Sequence, residues 1–500
     1  MEHEIRRVAV IGAGVMGRGI AALMLELCQQ VWLFDQRTEA LQQAQQSLQA
    51  RADQLAQPAD FYLAQNLAEL SGCDLVIEAI AEDLEAKRSL FKALELYLPE
   101  SCIFASNTSS LSITAIASAC SHPQRLLGLH FFNPVAKLRL IELIPALQTS
   151  STALTTVQNL FAASSHQLLL ASDSPGFIVN HAGRGYGLEA LRIWQEQVAE
   201  PAQIDTIMRA AGFKLGPFEL FDLVGLDVSL PVMQAIYQQY YHEARYQPSV
   251  LLAKRIYAGW LGRKSGRGFY SYDANGRKLA QSNSTVQTAE VAGAWQRPIW
   301  FDPHDAEAAR YLPDLLFRAG IAASVIESQA RPSQDALILL TPQGEDCSTV
   351  AARAGLDASR CLALDSWLSP DHVVVLMANP ATEAQLLSEF DAHLRLAGLQ
   401  TVQLRDSAGL VFQRIIANII NIAAEMALQG IASPAEIDQA VQLGLAYPAG
   451  PLTWGDRLGL ARLCQVLRQM QAVTGETRYR PSLWLQRRAQ LGLSLLHDGK

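Results

Sequence analysis

A block of this chain occurs twice. Asp173-Ser174-Pro175-Gly176-Phe177-Ile178 returns as Asp406-Ser407-Ala408-Gly409-Leu410-Val411. Behind it, Ile204-Asp205 returns as Ile437-Asp438, Gly216-Pro217 as Gly450-Pro451 and Asp222 as Asp456. More weakly, Asn133-Pro134 is echoed by Asn379-Pro380. Each copy carries apolar residues at helical spacing and follows a stretch where short apolar runs alternate with polar helical segments. The expected fold is therefore a duplication: an α/β unit and an all-α domain, then a degenerate α/β unit and a second all-α domain. The boundaries fall at 1–172, 173–273, 285–405 and 406–500, with the polar stretch 274–290 as a linker.

The first α/β unit is expected to hold a doubly wound sheet. Val8–Ile11, Val31–Phe34, Asp74–Ile77, Cys102–Ala105 and Leu126–Leu129 are short apolar runs separated by helical segments. Continuous apolar strands with helical crossovers imply a parallel sheet covered on both faces. Leu138 to Ile144 reads as a last strand, able to pair with the one before it. In the second unit, Leu337–Leu340, Cys361–Leu364 and His372–Leu376 are the candidate strands.

Composition narrows the function. Half of the 500 residues are hydrophobic and 18% are charged, enough for several buried cores and too apolar for a disordered chain. A net charge of -8 argues against nucleic acid as a partner, since that role needs a concentrated basic face. The longest uncharged stretch, Leu143 to Ser172, is broken by Pro145 and crowded with Ser, Thr, Gln and Asn, so no membrane span is expected. The first residues lack the apolar centre of a signal peptide. Seven scattered cysteines with no CxxC pair imply a reduced, cytoplasmic protein with no metal site.

Gly12-Ala13-Gly14-Val15-Met16-Gly17 is GxGxxG, a weak signal alone. Here it follows a strand, opens an apolar helix, and is followed by Asp35 at the end of the next strand. In that context it is a dinucleotide fingerprint. Gly12 permits the tight turn, Gly14 lets backbone N–H groups approach a pyrophosphate, and Gly17 lets helix and strand pack closely. The helix N-terminus then stabilises the phosphate charge. Asp35 suits the ribose hydroxyls of NAD and repels the 2′-phosphate of NADP, with Arg37 nearby as the opposing charge.

His130 ends a predicted strand, where ligands of this architecture bind. Twelve residues on, Glu142 lies inside the run Leu140-Ile141-Glu142-Leu143-Ile144. A carboxylate there is costly to bury unpaired, and a neighbouring imidazole would satisfy it. Glu142 would hold one ring N–H of His130, leaving the other nitrogen to take a proton from an alcohol. The alternatives are a satisfied core histidine and a strand-edge glutamate.

With these residues in place, the chain resembles the 3-hydroxyacyl-CoA dehydrogenase family over nearly its whole length. The motifs are GAGVMG, Ser106-Asn107-Thr108-Ser109-Ser110, His130-Phe131-Phe132-Asn133-Pro134 with Glu142, Asp173-Ser174-Pro175-Gly176-Phe177-Ile178-Val179-Asn180, and Gly262-Arg263-Lys264-Ser265-Gly266-Arg267-Gly268-Phe269-Tyr270. The tandem form looks most like members acting in phenylacetate degradation, on 3-hydroxyadipyl-CoA. The resemblance implies NAD as cofactor and an acyl-CoA as substrate. It makes His130 the general base, Glu142 its orienting partner, and Ser109 and Asn180 contacts to the substrate oxygens. Asn133 would hold the dyad or substrate, and Glu82, Lys87 and Asn107 would line the cofactor cleft.

The family's helical hairpin with a CoA-facing lysine is short here. Residues 44–70 hold no lysine and only Arg51 is basic, so no CoA contact is assigned to it. In the second copy, aligning the Asn-Pro pairs puts Leu376 where His130 stands, with no equivalent of the Glu142 strand after it, and Gln413 replaces Asn180. That half is expected to be catalytically silent. Simple family members pair their helical domains between subunits. Here the two copies could pair within one chain, and a homodimer remains open.

Arg184 stands four residues after Asn180, on the same face of one helix. It could read the terminal carboxylate of a dicarboxyl substrate, or pair with Glu189 or water. Three functional readings stand: the 3-hydroxyacyl-CoA dehydrogenase, acting on adipyl-type or on 3-hydroxybutyryl and fatty chains; a dehydrogenase of free hydroxy acids; and an NAD-binding module without turnover.

Overall fold

The computed structural model describes residues 4–55, 59–280 and 294–499. Most of the expected 274–290 linker lies outside the described residues. The chain divides into two compact units, Met1–Ala182 with Met426–Ala446, and Gly183–Glu425 with Tyr447–Lys500.

The first unit is built on an eight-stranded sheet. Its strands are β1 (Arg7–Ile11), β2 (Gln30–Phe34), β3 (Asp60–Leu63), β4 (Leu75–Glu78), β5 (Ile103–Ser106), β6 (Leu126–Phe131), β7 (Leu140–Pro145) and β8 (Gln167–Leu170). They lie in the order β3-β2-β1-β4-β5-β6-β7-β8. The first six are parallel, β7 runs antiparallel to β6, and β8 is parallel to β7. This is the doubly wound topology expected. The strand order reverses between β1 and β4, which opens a crevice at their C-terminal ends. Val8, Val10, Leu33, Ile77, Leu127 and Leu143 are fully buried beneath the covering helices.

Two strands of this sheet escape the sequence reading, as do Ile299–Trp300, Ile326–Glu327 and Thr401–Arg405 in the second unit. Both β3 and β8 are edge strands, exposed or half-buried at every residue except Leu169. An edge strand needs no continuous apolar run, so the signal that marks the inner strands is missing.

The first unit also contains a helix from the far end of the chain, Pro434–Leu445. It lies against β7, β8 and the short helix Val179–Ala182. The Ser172 N–H donates to the Ile431 carbonyl at 2.7 Å, and the Leu170 N–H to Glu436 Oε1 at 3.3 Å. The second unit shows the matched contacts. There the Arg405 N–H donates to the Val198 carbonyl at 3.0 Å, and Gln203 Nε2 to the Gln403 carbonyl at 2.8 Å. All these pairs keep the offset that separates Asp173 from Asp406. Each helical copy thus lends its crossing helix to the α/β copy it does not follow in sequence, as subunits do across a two-fold interface.

The second unit holds a six-stranded sheet: β9 (Ile299–Trp300), β10 (Ile326–Glu327), β11 (Leu337–Leu340), β12 (Cys361–Leu364), β13 (Val374–Ala378) and β14 (Thr401–Arg405), in the order β10-β9-β11-β12-β13-β14. Here β13 runs antiparallel to β12 and β14 runs parallel to β13. That pattern matches β6, β7 and β8, so β12 stands in the place of β6. The Asn-Pro echo is therefore misleading, because Asn379 follows the counterpart of β7. In the correct register Asp365, just past β12, takes the place of His130. Val375 on β13 takes that of Glu142, and not Leu376 that of His130.

Within this unit the two helical copies pack together. A Cβ on Gly185 would come within 2.8 Å of the Ile419 backbone. Beside it Arg414, Asn418 and the Tyr479 hydroxyl all bind the buried Glu189, at 2.7, 2.6 and 2.8 Å. The repeated aspartates act as brackets. Asp222 accepts from the Phe269 and Tyr270 N–H groups at 2.8 and 2.9 Å, and Asp456 from the Leu495 N–H at 2.8 Å. A Cβ on Gly268 would fall 2.0 Å from Asp222 Oδ1, so the Gly-rich 262–270 motif is an anchor for the chain rather than a reactive loop. The helix Val411–Leu428 is long and apolar enough to cross a membrane, and 89% of it is buried inside the protein.

Candidate active site

The crevice is shaped by the glycine turn. Gly12 has φ +107°, and a Cβ there would sit 2.5 Å from the Ala79 carbonyl oxygen. A Cβ on Gly17 would lie 1.7 Å from the Gly12 oxygen, so the first helical turn of Val15–Leu27 rests directly on the loop. Gly14 differs: a Cβ there would meet nothing within 4 Å. Internal packing therefore does not require that glycine, whereas backbone approach to a bound pyrophosphate does. The helix Val15–Leu27 has neither a side-chain cap nor an acidic residue in its first turn, which leaves its positive end for an anion. Asp35 closes the crevice on the β2 side. Its Oδ2 accepts from the Ala13 N–H and its Oδ1 from the Arg37 N–H, both at 2.8 Å. Burial alone would raise this carboxyl; the backbone donors and the Arg37 side chain outweigh burial and hold it below its ordinary value. These residues fit a dinucleotide with free ribose hydroxyls.

Across the crevice lies a charged network. Lys87 and Glu78 are buried, with the ammonium 2.8 Å from both Glu78 oxygens and 3.4 Å from Glu82 Oε2. The Ser106 hydroxyl also donates to Glu78. Glu82 Oε1 gathers the next loop, accepting from Thr108 Oγ1 at 2.7 Å, the Ser109 N–H at 2.9 Å and Ser110 Oγ at 3.0 Å. Burial would raise Glu82, but Lys87 and these donors keep it below the usual carboxylate value. The Ser109 hydroxyl lies 3.2 Å from the same oxygen. Asn180 Nδ2 reaches the Ser109 carbonyl at 3.2 Å, and Asn107 Oδ1 accepts from the Phe131 N–H at 2.8 Å, beside His130. Sequence reasoning missed Glu78, and gave Ser106 a place in a motif but no role. The signal was present, since Glu78 closes an apolar run much as Glu142 interrupts one.

His130 and Glu142 are direct partners in the β6–β7 register. Imidazole Nδ1 lies 2.6 Å from Glu142 Oε2. The other oxygen, Oε1, accepts from the Ile178 and Val179 N–H groups at 3.0 and 2.9 Å. Glu142 is fully buried and His130 is 5% exposed. A buried carboxylate with three donors is satisfied, so the dyad is not the costly unpaired charge that the strand pattern alone would suggest.

The two backbone donors are aimed by the turn before them. Gly176 has φ +78° and Phe177 φ +48°. A bulky residue rarely adopts the left-handed region, and here it directs two successive N–H groups at one oxygen. The Phe177 ring then lies 5.8 Å from the imidazole, and Phe132 4.4 Å from it. Asp173 pins the start of this turn, accepting from the Ile113 and Thr114 N–H groups at 2.9 and 2.7 Å. Asn133 is exposed just past β6, and among the described residues no hydrogen bond joins it to the dyad. Arg184 belongs to the second unit, where its guanidinium lies beside Tyr447 and burial lowers it to about 10. Glu189, the partner suggested for it by sequence, is the buried anion of Arg414.

The second unit's matched site is built differently. Asp365 is fully buried; its Oδ1 accepts from the Trp367 N–H at 3.0 Å and from Gln413 Nε2 at 3.3 Å. No imidazole stands there.

A crevice shaped for a dinucleotide, with a carboxylate-backed imidazole at a neighbouring strand end, defines a dinucleotide-dependent dehydrogenase. Comparison with known proteins makes this specific. Residues 7–173 match the 3-hydroxyacyl-CoA dehydrogenase NAD binding domain, and residues 176–272 and 409–496 each match the C-terminal domain of that family. The 3-hydroxyadipyl-CoA dehydrogenase of Escherichia coli K12 is 33% identical, over 98% of this chain and 99% of that one. The mitochondrial hydroxyacyl-coenzyme A dehydrogenase of Homo sapiens is 35% identical, over 54% of this chain and 91% of that one. A crystal structure of 3-hydroxybutyryl-CoA dehydrogenase from Escherichia coli K12 superposes with a TM-score of 0.80 at 32% identity, covering 98% of this chain and 99% of that one. The chain belongs to the 3-hydroxyacyl-CoA dehydrogenase family and is an NAD-dependent oxidoreductase.

Proposed function

We propose that the chain oxidises a dicarboxylic (S)-3-hydroxyacyl-CoA, 3-hydroxyadipyl-CoA, to its 3-oxo thioester in the cytoplasm. The observation that carries the chemistry is the Glu142–His130 contact of 2.6 Å, with the second Glu142 oxygen held by two backbone N–H groups. Glu142 accepts the Nδ1–H of His130 and so fixes the tautomer with Nε2 free. Nε2 takes the proton of the 3-hydroxyl, and Glu142 stabilises the imidazolium that forms. Bound NAD supplies the two-electron acceptor. Asp35 holds the ribose and the Gly12–Gly17 turn the pyrophosphate. Glu82, Lys87 and Asn107 line the cofactor cleft, and Asn133 borders the substrate beside the dyad. Ser109 and Asn180, brought together by the 3.2 Å contact, orient the substrate oxygens. In the reverse direction the imidazolium returns its proton to the forming alkoxide.

The full-length likeness to a protein named for 3-hydroxyadipyl-CoA supports the dicarboxyl substrate. Arg184, four residues after Asn180 in sequence and at the start of the next helix, Arg184–Gln195, is the group we assign to the distal carboxylate. The remaining division of labour is four domains, 1–172, 173–273, 285–405 and 406–500, with catalysis in the first pair. The test compares kcat/KM for 3-hydroxyadipyl-CoA and 3-hydroxyhexanoyl-CoA in the wild type and in Arg184→Leu. Loss of a desolvated charge pair costs the dicarboxyl substrate about 2–5 kcal/mol and spares the other. Equal losses, or none, remove Arg184 from substrate recognition, and a wild type that favours 3-hydroxybutyryl-CoA replaces the substrate assignment.

A further inference from the structure

We infer that the helix Pro434–Leu445 of the second copy is a positioning element for the first copy's dyad, acting through Gly444. This rests on the assignment of His130 and Glu142 above. In the first unit the helix lies against Val179–Ala182, β7 and β8. Its contact at Gly444 is close: a Cβ there would fall 2.9 and 3.0 Å from the Val179 methyls and 3.1 Å from a Leu140 methyl. Leu140 opens β7, the strand that carries Glu142. The Val179 N–H is one of the two backbone donors to Glu142. Gly444 thus touches both segments that hold the carboxylate, and nothing larger fits without moving one of them. Val179 is β-branched and stiff at χ1, so its backbone shares any displacement of its methyls.

The matched position in the other half shows that such a fit is not imposed by the duplicated fold. Ala211 occupies the place of Gly444 in the first helical copy. There the crossing is open, and a cavity of about 710 Å³ lies among Ala211, Gly212, Phe412 and Trp454. Phe412 is the counterpart of Val179. The half with the imidazole is filled tightly behind its dyad, and the half without one is not. The second copy, which has Asp365 where the base would stand, therefore contributes to the reaction by bracing the first.

The experiment uses the full chain. Gly444→Leu is expected to lower kcat about tenfold or more, within the range that an ångström-scale misplacement of catalytic groups produces. The affinity for NAD is expected to stay within twofold of wild type. The low-field proton resonance of the short His130–Glu142 hydrogen bond is expected to move upfield, a change that loss of global stability does not cause. Gly444→Ala, one methyl larger, moves the same quantities less and serves if the leucine variant does not fold. Ala211→Leu, at the open matched position, leaves kcat and the resonance unchanged. A folded Gly444→Leu with wild-type kcat and resonance overturns the inference, as does an equal loss in Ala211→Leu. Failure of the dyad assignment itself reads out separately, as turnover that survives His130→Ala.

Discussion

Replacing Glu142 by Gln separates the charge of the dyad from its shape. The side chains are isosteric, but a carboxamide has one acceptor end and one donor end. In the wild type Oε1 accepts two backbone N–H groups and Oε2 faces His130 Nδ1. Glutamine satisfies the backbone only by placing its oxygen at Oε1. Its NH2 then faces Nδ1 and donates to it, which moves the ring proton to Nε2 and removes the base. The productive orientation needs the amide to flip, setting NH2 against two N–H groups. Leaving those two donors unsatisfied costs about 1–3 kcal/mol each. At about 1.4 kcal/mol per factor of ten, kcat is expected to fall between about thirtyfold and twenty-thousandfold. NADH formation from a 3-hydroxyacyl-CoA is followed optically, with circular dichroism and NAD binding as controls for folding. A folded Glu142→Gln protein within about threefold of wild-type kcat would refute this assignment of the hydrogen bonds.

Cofactor choice and stability give two more tests. A 2′-phosphate beside the Asp35 carboxylate is repelled by about 2–4 kcal/mol in partly screened surroundings, so kcat/KM favours NAD by about 30-fold to 1000-fold, and Asp35→Ser narrows that gap; a wild type that prefers NADP would mean Arg37 prevails. Burial pushes Asp365 up to about 6 from its ordinary 3.8. The folded state then binds the extra proton between these values, so this group's contribution is fully present below about pH 4 and lost as the pH rises through about 6. The loss is of order 3 kcal/mol. Asp365→Asn should therefore shrink the fall in melting temperature between pH 5 and pH 8, and an unchanged fall would contradict the burial of a titrating carboxyl there.

Much of this was legible in the sequence because the features carry their own physical signal. A buried parallel strand is apolar along most of its length, and Val8–Ile11, Leu75–Ile77, Ile103–Ala105 and Leu126–Leu129 show it. A glycine turn followed by an acidic residue at the next strand end announces a dinucleotide crevice. Glu142 stood out as a charge inside an apolar run, and twelve residues is the separation that an antiparallel step from β6 to β7 gives. The edge strands β3 and β8 lacked any such signal. The second sheet was misaligned because Asn-Pro pairs follow non-equivalent strands, and only the antiparallel step from β12 to β13 reveals the register. The crossing helices left no trace in local pattern. Ser172 meets Ile431 through backbone atoms, which any residue supplies. Glu78 was readable by the rule that found Glu142, and its partner Lys87 was assigned without it.

The measurement that bears most directly on the function is turnover of 3-hydroxybutyryl-CoA against free 3-hydroxybutyrate, in the wild type and in His130→Ala. The wild type is expected to reduce NAD with the thioester and to leave the free acid nearly untouched. His130→Ala should still bind NAD while its kcat falls by at least about a hundredfold, the lower end of what a general base contributes. Near-normal turnover by a purified His130→Ala protein, or equal use of the free acid by the wild type, would contradict the account.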